Sequence, residues 1–386
     1  MPTAGSRGGP KGLVTIADVQ RLARRRLPRL IYDFVEGGSE DEVTLRRNRS
    51  AFEHVTFRPR MLTGVADRDL STTVLGTRVS LPVMFAPAGL QGLVHRRGEL
   101  AAASAASDFG TVYVLSIGSS YSIEEVRAEA KGPLWLQLSP WKDRSLVETM
   151  MRRARDAGYS TLCLTLDVPV PAKRERDIRN GMTLPLKVSA RNVFDVASRP
   201  SWWPNLPFNL RERHGNYALP GGGHGAISVA KWVTNMLNPA ATWDELRWMK
   251  RQWEGPVVVK GVLTPDDARC ARDAGADGII VSNHGGRQLD GARATIDALP
   301  EIADVVGTEL DVMVDSGFRR GSDVVKAMAL GAKACLVGRP YVLSLAWGDA
   351  GPRRVLEIFR DEIDTTMALL GVSSWKDINR SLIDRG

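Results

Sequence analysis

Cysteine is scarce in this chain of 386 residues. Cys163, Cys270 and Cys335 are too few, too far apart and too odd in number for a disulfide framework or a metal cluster. Two of them lie in apolar runs, TLCLTL and ACLVG, where cysteine serves as a small buried hydrophobe, which suits a reducing cytoplasm. Histidine is scarce too, with five residues and no H-x-x-x-H or histidine–carboxylate cluster at metal-ligand spacing, so no metal is expected. No G-x-S-x-G elbow is present. Long apolar runs are also missing: none reaches the ~18–20 residues of a membrane span. The longest candidate, 81–94, is broken by Pro82, Pro87, Gly89 and Gly92. Residues 1–12, MPTAGSRGGPKG, have no apolar stretch and read as a disordered tail rather than a signal peptide. Charge of one sign is not blocked anywhere. The balance, 52 − 44 = +8, is spread along the chain, which suits acidic ligands and argues against nucleic acid.

What is there is an ordinary globular composition, 43% hydrophobic and 25% charged, which excludes wholesale disorder. Apolar positions at helical spacing predict one helix over 15–34, with Thr15 and Asp18 forming a capping box. Residues 35–80 mix charges and turns and join that helix as an N-terminal cap. From residue 82 the rhythm changes. Eight apolar runs recur at 83–87, 111–116, 134–139, 161–167, 257–261, 278–283, 311–317 and 334–340. They are near-continuously apolar, as strands covered on both faces must be. Helical patterns separate them, three ending in Gly158, Gly275 and Gly331, the residue type that closes a helix with a left-handed cap. Such a series predicts a (β/α)8 TIM barrel with an N-terminal helical cap; the structural alternative is an open doubly wound sheet. The expected division is a tail at 1–12, a cap at 13–80 and the barrel at 81–386, its wrapping completed by a helical segment at 342–384.

One spacing is abnormal. The gap between the fourth and fifth strands makes residues ~180–240 a long insertion, carrying Trp202, Trp203, Trp232 and GGGHGA (221–226). It reads as a lid over the site, or alternatively as a membrane-surface or partner-binding patch with Arg199, Arg211 and Arg213.

In a barrel, polar residues at the carboxyl ends of strands face the active site. Here those ends carry Gln137 and Ser139, Thr165 and Asp167, Lys260, Ser282 with Asn283 and His284, Asp315, and Arg339. Apolar strands have no structural need for so many polar groups at one rim. DSGFRRG (315–321) and GRP (338–340) follow the seventh and eighth strands, the usual phosphate-binding place of this fold. That points to a phosphorylated ligand or cofactor. His284, followed by two glycines and Arg287, reads as a general base.

The chain carries YDFVEGGSEDEVTLRRN (32–48), FRPR (57–60), LTLDVP (164–169), RERDIRN (174–180), VVVKG (257–261), SNHGGRQLD (282–290), DSGFRRGSDVVKAMALGA (315–332) and VGRP (337–340), in that order. The chain resembles the FMN-dependent 2-hydroxy acid oxidases and dehydrogenases, its mandelate dehydrogenase-like branch most of all. The resemblance implies FMN as cofactor and oxidation of a 2-hydroxy acid to the 2-oxo acid. It makes His284 the base, Asp167 its hydrogen-bonding partner, and Lys260 the cation beside flavin N1 and the C2 carbonyl. Tyr32 and Arg287 would hold the substrate carboxylate, and Arg174 would add positive charge near the same pocket. Ser116, Gln137, Thr165 and Ser282 would hydrogen-bond the flavin, Pro87, Ala88 and Gly89 would pass near its N5, and Asp315 would join the cofactor site. Gly317, Arg319, Gly338 and Arg339 would hold the phosphate. The family also implies a homotetramer.

Two departures bear on substrate. The family usually carries tyrosine two residues after the glutamine of the third strand, where this chain has Ser139, and Gly118 stands where many short-chain oxidases carry a bulky aromatic. The expected substrate is therefore a bulky, aryl-type L-2-hydroxy acid such as mandelate. The alternative is a 2-hydroxy or 2-amino, amine or carrier-bound substrate of specialised metabolism. The second electron acceptor is O2 or a quinone or other carrier. A reading of another class, a barrel retained as a binding scaffold, has no use for His284, Asp167, Arg287, Tyr32 and Lys260 together. The expected location is cytoplasmic, with peripheral membrane association through the insertion as the alternative.

Overall fold

Strands made almost wholly of apolar residues must be covered on both sides, and a closed barrel ringed by helices does this. The computed structural model describes residues 12–183, 187, 189–206, 215–217 and 236–385. The eight strands are β1 (Val83–Phe85), β2 (Tyr113–Ser116), β3 (Leu134–Leu138), β4 (Thr161–Thr165), β5 (Val257–Val262), β6 (Gly278–Val281), β7 (Asp311–Val314) and β8 (Ala334–Val337). They pair in parallel, each with its neighbours in sequence, and β8 returns to β1 to close the barrel. This is the (β/α)8 TIM barrel rather than an open sheet. Its inside is a dry plug in which Met84, Val114, Trp135, Val258, Ile280 and Met313 meet. A hairpin, Thr72–Val74 with Thr77–Val79, adds Val74 and Val79 to that plug from the amino end, where Asp311 Oδ2 accepts the Leu75 N–H at 2.7 Å.

The helices lie outside. Gly158, Gly275 and Gly331 do close theirs with φ of 75°, 92° and 109°. The long helix Ala350–Leu370 packs against Gly321–Ala329 and Gly98–Phe109, so the C-terminal segment does wrap the barrel. It is not helical to its end: Ile383–Arg385 runs back as a strand antiparallel to Val55–Phe57.

The N-terminal segment differs from expectation in two ways. The single helix over 15–34 is two, α1 (Ile16–Arg26) and α2 (Arg29–Glu36). Pro28 divides them, since its ring carries no N–H and forces the residue before it out of the helical region; Leu27 sits at ψ 144°. Thr15 and Asp18 do form the capping box on α1. Within 35–80 a third helix, α3 (Val43–Ser50), lies where charges and turns hid it, with only Thr44 and Asn48 buried.

Between β4 and β5, the described part of the insertion includes a helix (Ala190–Ala197) and a 3-10 turn (Pro200–Asn205). Trp202 is buried and its Nε1 donates to Leu93 O at 3.0 Å, while Trp203 is half exposed. GGGHGA, Trp232, Arg211, Arg213 and the tail to residue 11 lie outside the described residues.

Candidate active site

The carboxyl ends of the strands open into a cavity of about 430 Å³. Register brings Ser116 level with Gln137, and Thr165 level with Lys260, so four polar side chains from β2 to β5 converge on it. Pro87, Ala88 and Gly89 form the wall beyond β1, with Gly118 beside them. His284, Arg287 and Arg174 line one end, and Asp315, Gly317, Arg319, Gly338 and Arg339 the other reaches of the same cavity.

Three of the expected residues stand one layer back. Asp167 Oδ1 meets His284 Nδ1 at 3.0 Å. Burial pushes the Asp167 carboxyl up, but His284 and Lys260 outweigh that and hold it below the ordinary carboxylate range. Its other oxygen is buried without a protein partner. The approach of Asp167 requires a glycine opposite. Gly261 sits at φ 107° in an irregularity of β5, and a Cβ there would lie 2.7 Å from Asp167 Cβ. Ser282 accepts from Lys260 Nζ at 2.8 Å and from the His284 N–H at 3.1 Å. Ser139 accepts from Gln137 Nε2 at 3.3 Å.

Tyr32 is not in the lining. It packs against the hydrophobic core, where burial pushes its phenol up. Two residues further, about 200° round the helix, Phe34 lines the cavity instead. Two guanidinium groups lie over its ring, Arg174 at 5.6 Å and Arg287 at 5.3 Å. Arg287 also donates to Phe34 O at 2.7 Å and Gly37 O at 3.0 Å. Burial, with Arg174 and Arg339 nearby, holds the Arg287 guanidinium well below its ordinary value. Phe34 was legible in YDFVEGG by counting helix faces once the helix was known to restart at Arg29. Val35, Leu90, Ser316 and Val342 also line the cavity and carried no composition signal, although Ser316 lies within DSGFRRG.

Lys260 is buried and ion-paired with Asp315 at 3.2 Å. Burial alone would lower the ammonium, yet Asp315 and Asp167 raise it. The lysine is therefore a fixed cation at the cavity wall.

The FMN implied by the resemblance fits this donor set. Arg339 gives its N–H groups to neutral carbonyls of Val35, Gly285 and Gly37, and Arg319 NH1 donates to Phe318 O. Burial depresses both guanidinium groups, Arg339 to about 10. Glu36 lies 3.9 Å from the Arg319 guanidinium, and its second oxygen has no partner among the described residues. Two arginines facing one cavity, giving their hydrogen bonds to neutral carbonyls, suit a phosphate dianion. Among the described residues no group of three metal-ligating side chains occurs.

The cavity wall at Gly317 depends on close backbone approach. Gly317 sits at φ 88°, and a Cβ there would lie 2.0 Å from Asn48 O. Gly317→Ala is expected to cost roughly 2–5 kcal/mol from strain plus clash with backbone. A denaturant midpoint unchanged in that variant would contradict the close approach.

Residues 23–385 match the FMN-dependent dehydrogenase family. The chain is 42% identical over 369 residues to an L-lactate dehydrogenase of Caulobacter vibrioides, covering 95% of this chain and 96% of that one. It is 41% identical over 370 residues to glycolate oxidase 5 of Oryza sativa subsp. japonica, covering 96% and 95%. The crystal structure of the monotopic membrane protein (S)-mandelate dehydrogenase superposes with a TM-score of 0.93 at 37% identity, covering 97% of this chain and all of that one.

Proposed function

The chain belongs to the FMN-dependent dehydrogenase family, and from that premise we propose that it oxidises a bulky, aryl-type L-2-hydroxy acid to the 2-oxo acid. The oxidation of a 2-hydroxy acid with FMN is the family's reaction; the aryl preference and the residue roles are our reading. The observation that carries it is His284 at 3.0 Å from Asp167 in a cavity that also holds Arg174, Arg287 and Lys260.

When bound, FMN supplies the two-electron acceptor, through its N5. His284 takes the substrate proton, and Asp167 stabilises the imidazolium that results. Arg287 and Arg174, their planes set against Phe34, hold the substrate carboxylate. Lys260, held by Asp315 and Ser282, sets positive charge beside the flavin ring. Arg319, Arg339, Gly317 and Gly338 receive the phosphate. Pro87, Ala88 and Gly89 flank the ring, and Ser116, Gln137 and Thr165 hydrogen-bond it. Phe34 and the open position at Gly118 favour an aromatic substituent on the substrate. Relatives with this chain's fold include mandelate oxidase in complex with (S)-mandelic acid.

The test is anaerobic mixing of the holoenzyme with (S)-mandelate while following flavin absorbance. Bleaching is expected, and readmitted air then separates transfer to O2 from transfer to a quinone or other carrier. A flavin that stays oxidised overturns the aryl 2-hydroxy acid. Ser139→Tyr is expected to speed reduction by mandelate about tenfold or more, the worth of one hydrogen bond to developing charge; equal rates would remove Ser139 as a determinant.

A second reading follows from Ser139, whose hydroxyl is engaged by Gln137 and leaves no phenol at the reacting oxygen. The same base and flavin would then act on a 2-amino or carrier-bound substrate. Bleaching by 2-phenylglycinamide with none by mandelate selects it.

Peripheral membrane association accords with the helix Ala190–Ala197, where Val193 and Phe194 are exposed near the half-exposed Trp203. Among the described residues no helix is long and apolar enough to cross a membrane.

A further inference from the structure

Two non-glycine residues near the reacting end of the cavity hold left-handed backbone: His284 at φ 57° and Ser316 at φ 76°. A residue with a side chain keeps that conformation only where its surroundings hold it. Glycine would relieve position 316, as it does next door at Gly317. What glycine lacks is a hydroxyl, and the Ser316 hydroxyl is engaged both as donor and as acceptor. It donates to Asp315 Oδ1 at 2.7 Å and accepts the Gly285 N–H at 3.0 Å.

These bonds close a circuit. Asp315 Oδ2 pairs with Lys260 at 3.2 Å, Lys260 donates to Ser282 Oγ at 2.8 Å, and that oxygen accepts the His284 N–H at 3.1 Å. One buried ion pair therefore grips two consecutive backbone N–H groups, those of His284 and Gly285, through one serine each. Peptide units are planar. Pinning the plane before the His284 Cα sets its φ, and pinning the plane after it sets its ψ. Ser282 does the first and Ser316 the second. The direction of the imidazole toward Asp167 follows from both.

We infer that Ser316 is a positioning residue for His284, holding the ψ of the base through the Gly285 N–H while anchored on the Lys260–Asp315 pair. The inference rests on the reading of His284 as the base. It ties the aim of that base to the cation that faces the flavin, so the two ends of the reaction share one scaffold.

The test uses the holoenzyme of Ser316→Gly, which suits the backbone, and Ser316→Ala, which removes the hydroxyl and keeps the strain. The first readout needs no substrate. It is the low-field proton NMR signal of His284 Nδ1–H bonded to Asp167, assigned by its loss in His284→Asn. Both variants are expected to lose or broaden it while binding FMN within about twofold of wild type, because the hydroxyl acts on backbone and not on ligand. The second readout is anaerobic flavin reduction by (S)-mandelate. Its limiting rate is expected to fall about tenfold, with half-saturation within about threefold, as misplacement of a reacting group does. An intact proton signal in both variants overturns the inference. So does FMN affinity lowered about tenfold, which would make Ser316 a cofactor ligand. If mandelate fails to bleach the wild type, the substrate reading falls and the proton signal alone decides the role of Ser316.

Discussion

Replacing His284 by asparagine is expected to slow flavin reduction by roughly 10²–10⁴-fold, the usual worth of a positioned general base, while the protein stays yellow. Asparagine is the informative choice because it tolerates the left-handed backbone at φ 57° better than most side chains. It also keeps a donor toward Asp167 but takes no proton at neutral pH. Stopped-flow absorbance under anaerobic conditions measures the rate, and the visible spectrum reports the bound cofactor. A loss under about tenfold would move the proton acceptor elsewhere in the cavity. A colourless variant would mean that His284 serves the cofactor site instead.

Lys260→Met is expected to be the most destabilising single change in the site. The ammonium is buried, paired with Asp315 at 3.2 Å and bonded to Ser282 at 2.8 Å. Removing it strands the Asp315 carboxylate in a place that is itself buried. Breaking one side of a buried pair costs about 3–5 kcal/mol, most of it the uncompensated charge left behind. FMN uptake is expected to fall with it, since on the proposed reading the ring loses its cation. Urea unfolding with and without FMN measures both effects. The double change Lys260→Met with Asp315→Asn is expected to recover part of the apoprotein stability and none of the cofactor affinity. If the single variant unfolds within about 1 kcal/mol of wild type, the pair contributes no such coupling.

Much of the site was legible because a parallel barrel makes chain position informative. An apolar run long enough for one strand ends where polar residues begin, and the barrel turns every such end toward one rim. Gln137, Thr165, Lys260, His284 and Arg339 stand at such ends, and all five line the cavity. Gly317 of DSGFRRG and Gly338 of GRP also lie at the cavity, and at Gly317 a side chain would meet the Asn48 carbonyl, whereas Gly338 has room for one. Residues on the N-terminal segment were harder. Its register against the barrel depends on where its helices start, and a helix divided at Pro28 changes which side chain faces inward. Of the two, Phe34 lines the cavity and Tyr32 packs against the core.

The sequence by itself determined the eight strands, their parallel order and the rim on which the chemistry lies, because hydrophobic periodicity and helix caps are local properties carried by a few consecutive residues. Only the tertiary structure decided that Arg174 and Arg287 both lie over the Phe34 ring, and that Lys260 pairs with Asp315 across two strands. It also decided that Ser316 reaches Gly285 and that the chain's last strand pairs with Val55–Phe57. Each of these joins residues far apart along the chain, by hydrogen bonds or charges whose strength depends on distance and burial. Those two quantities exist only once the barrel has closed.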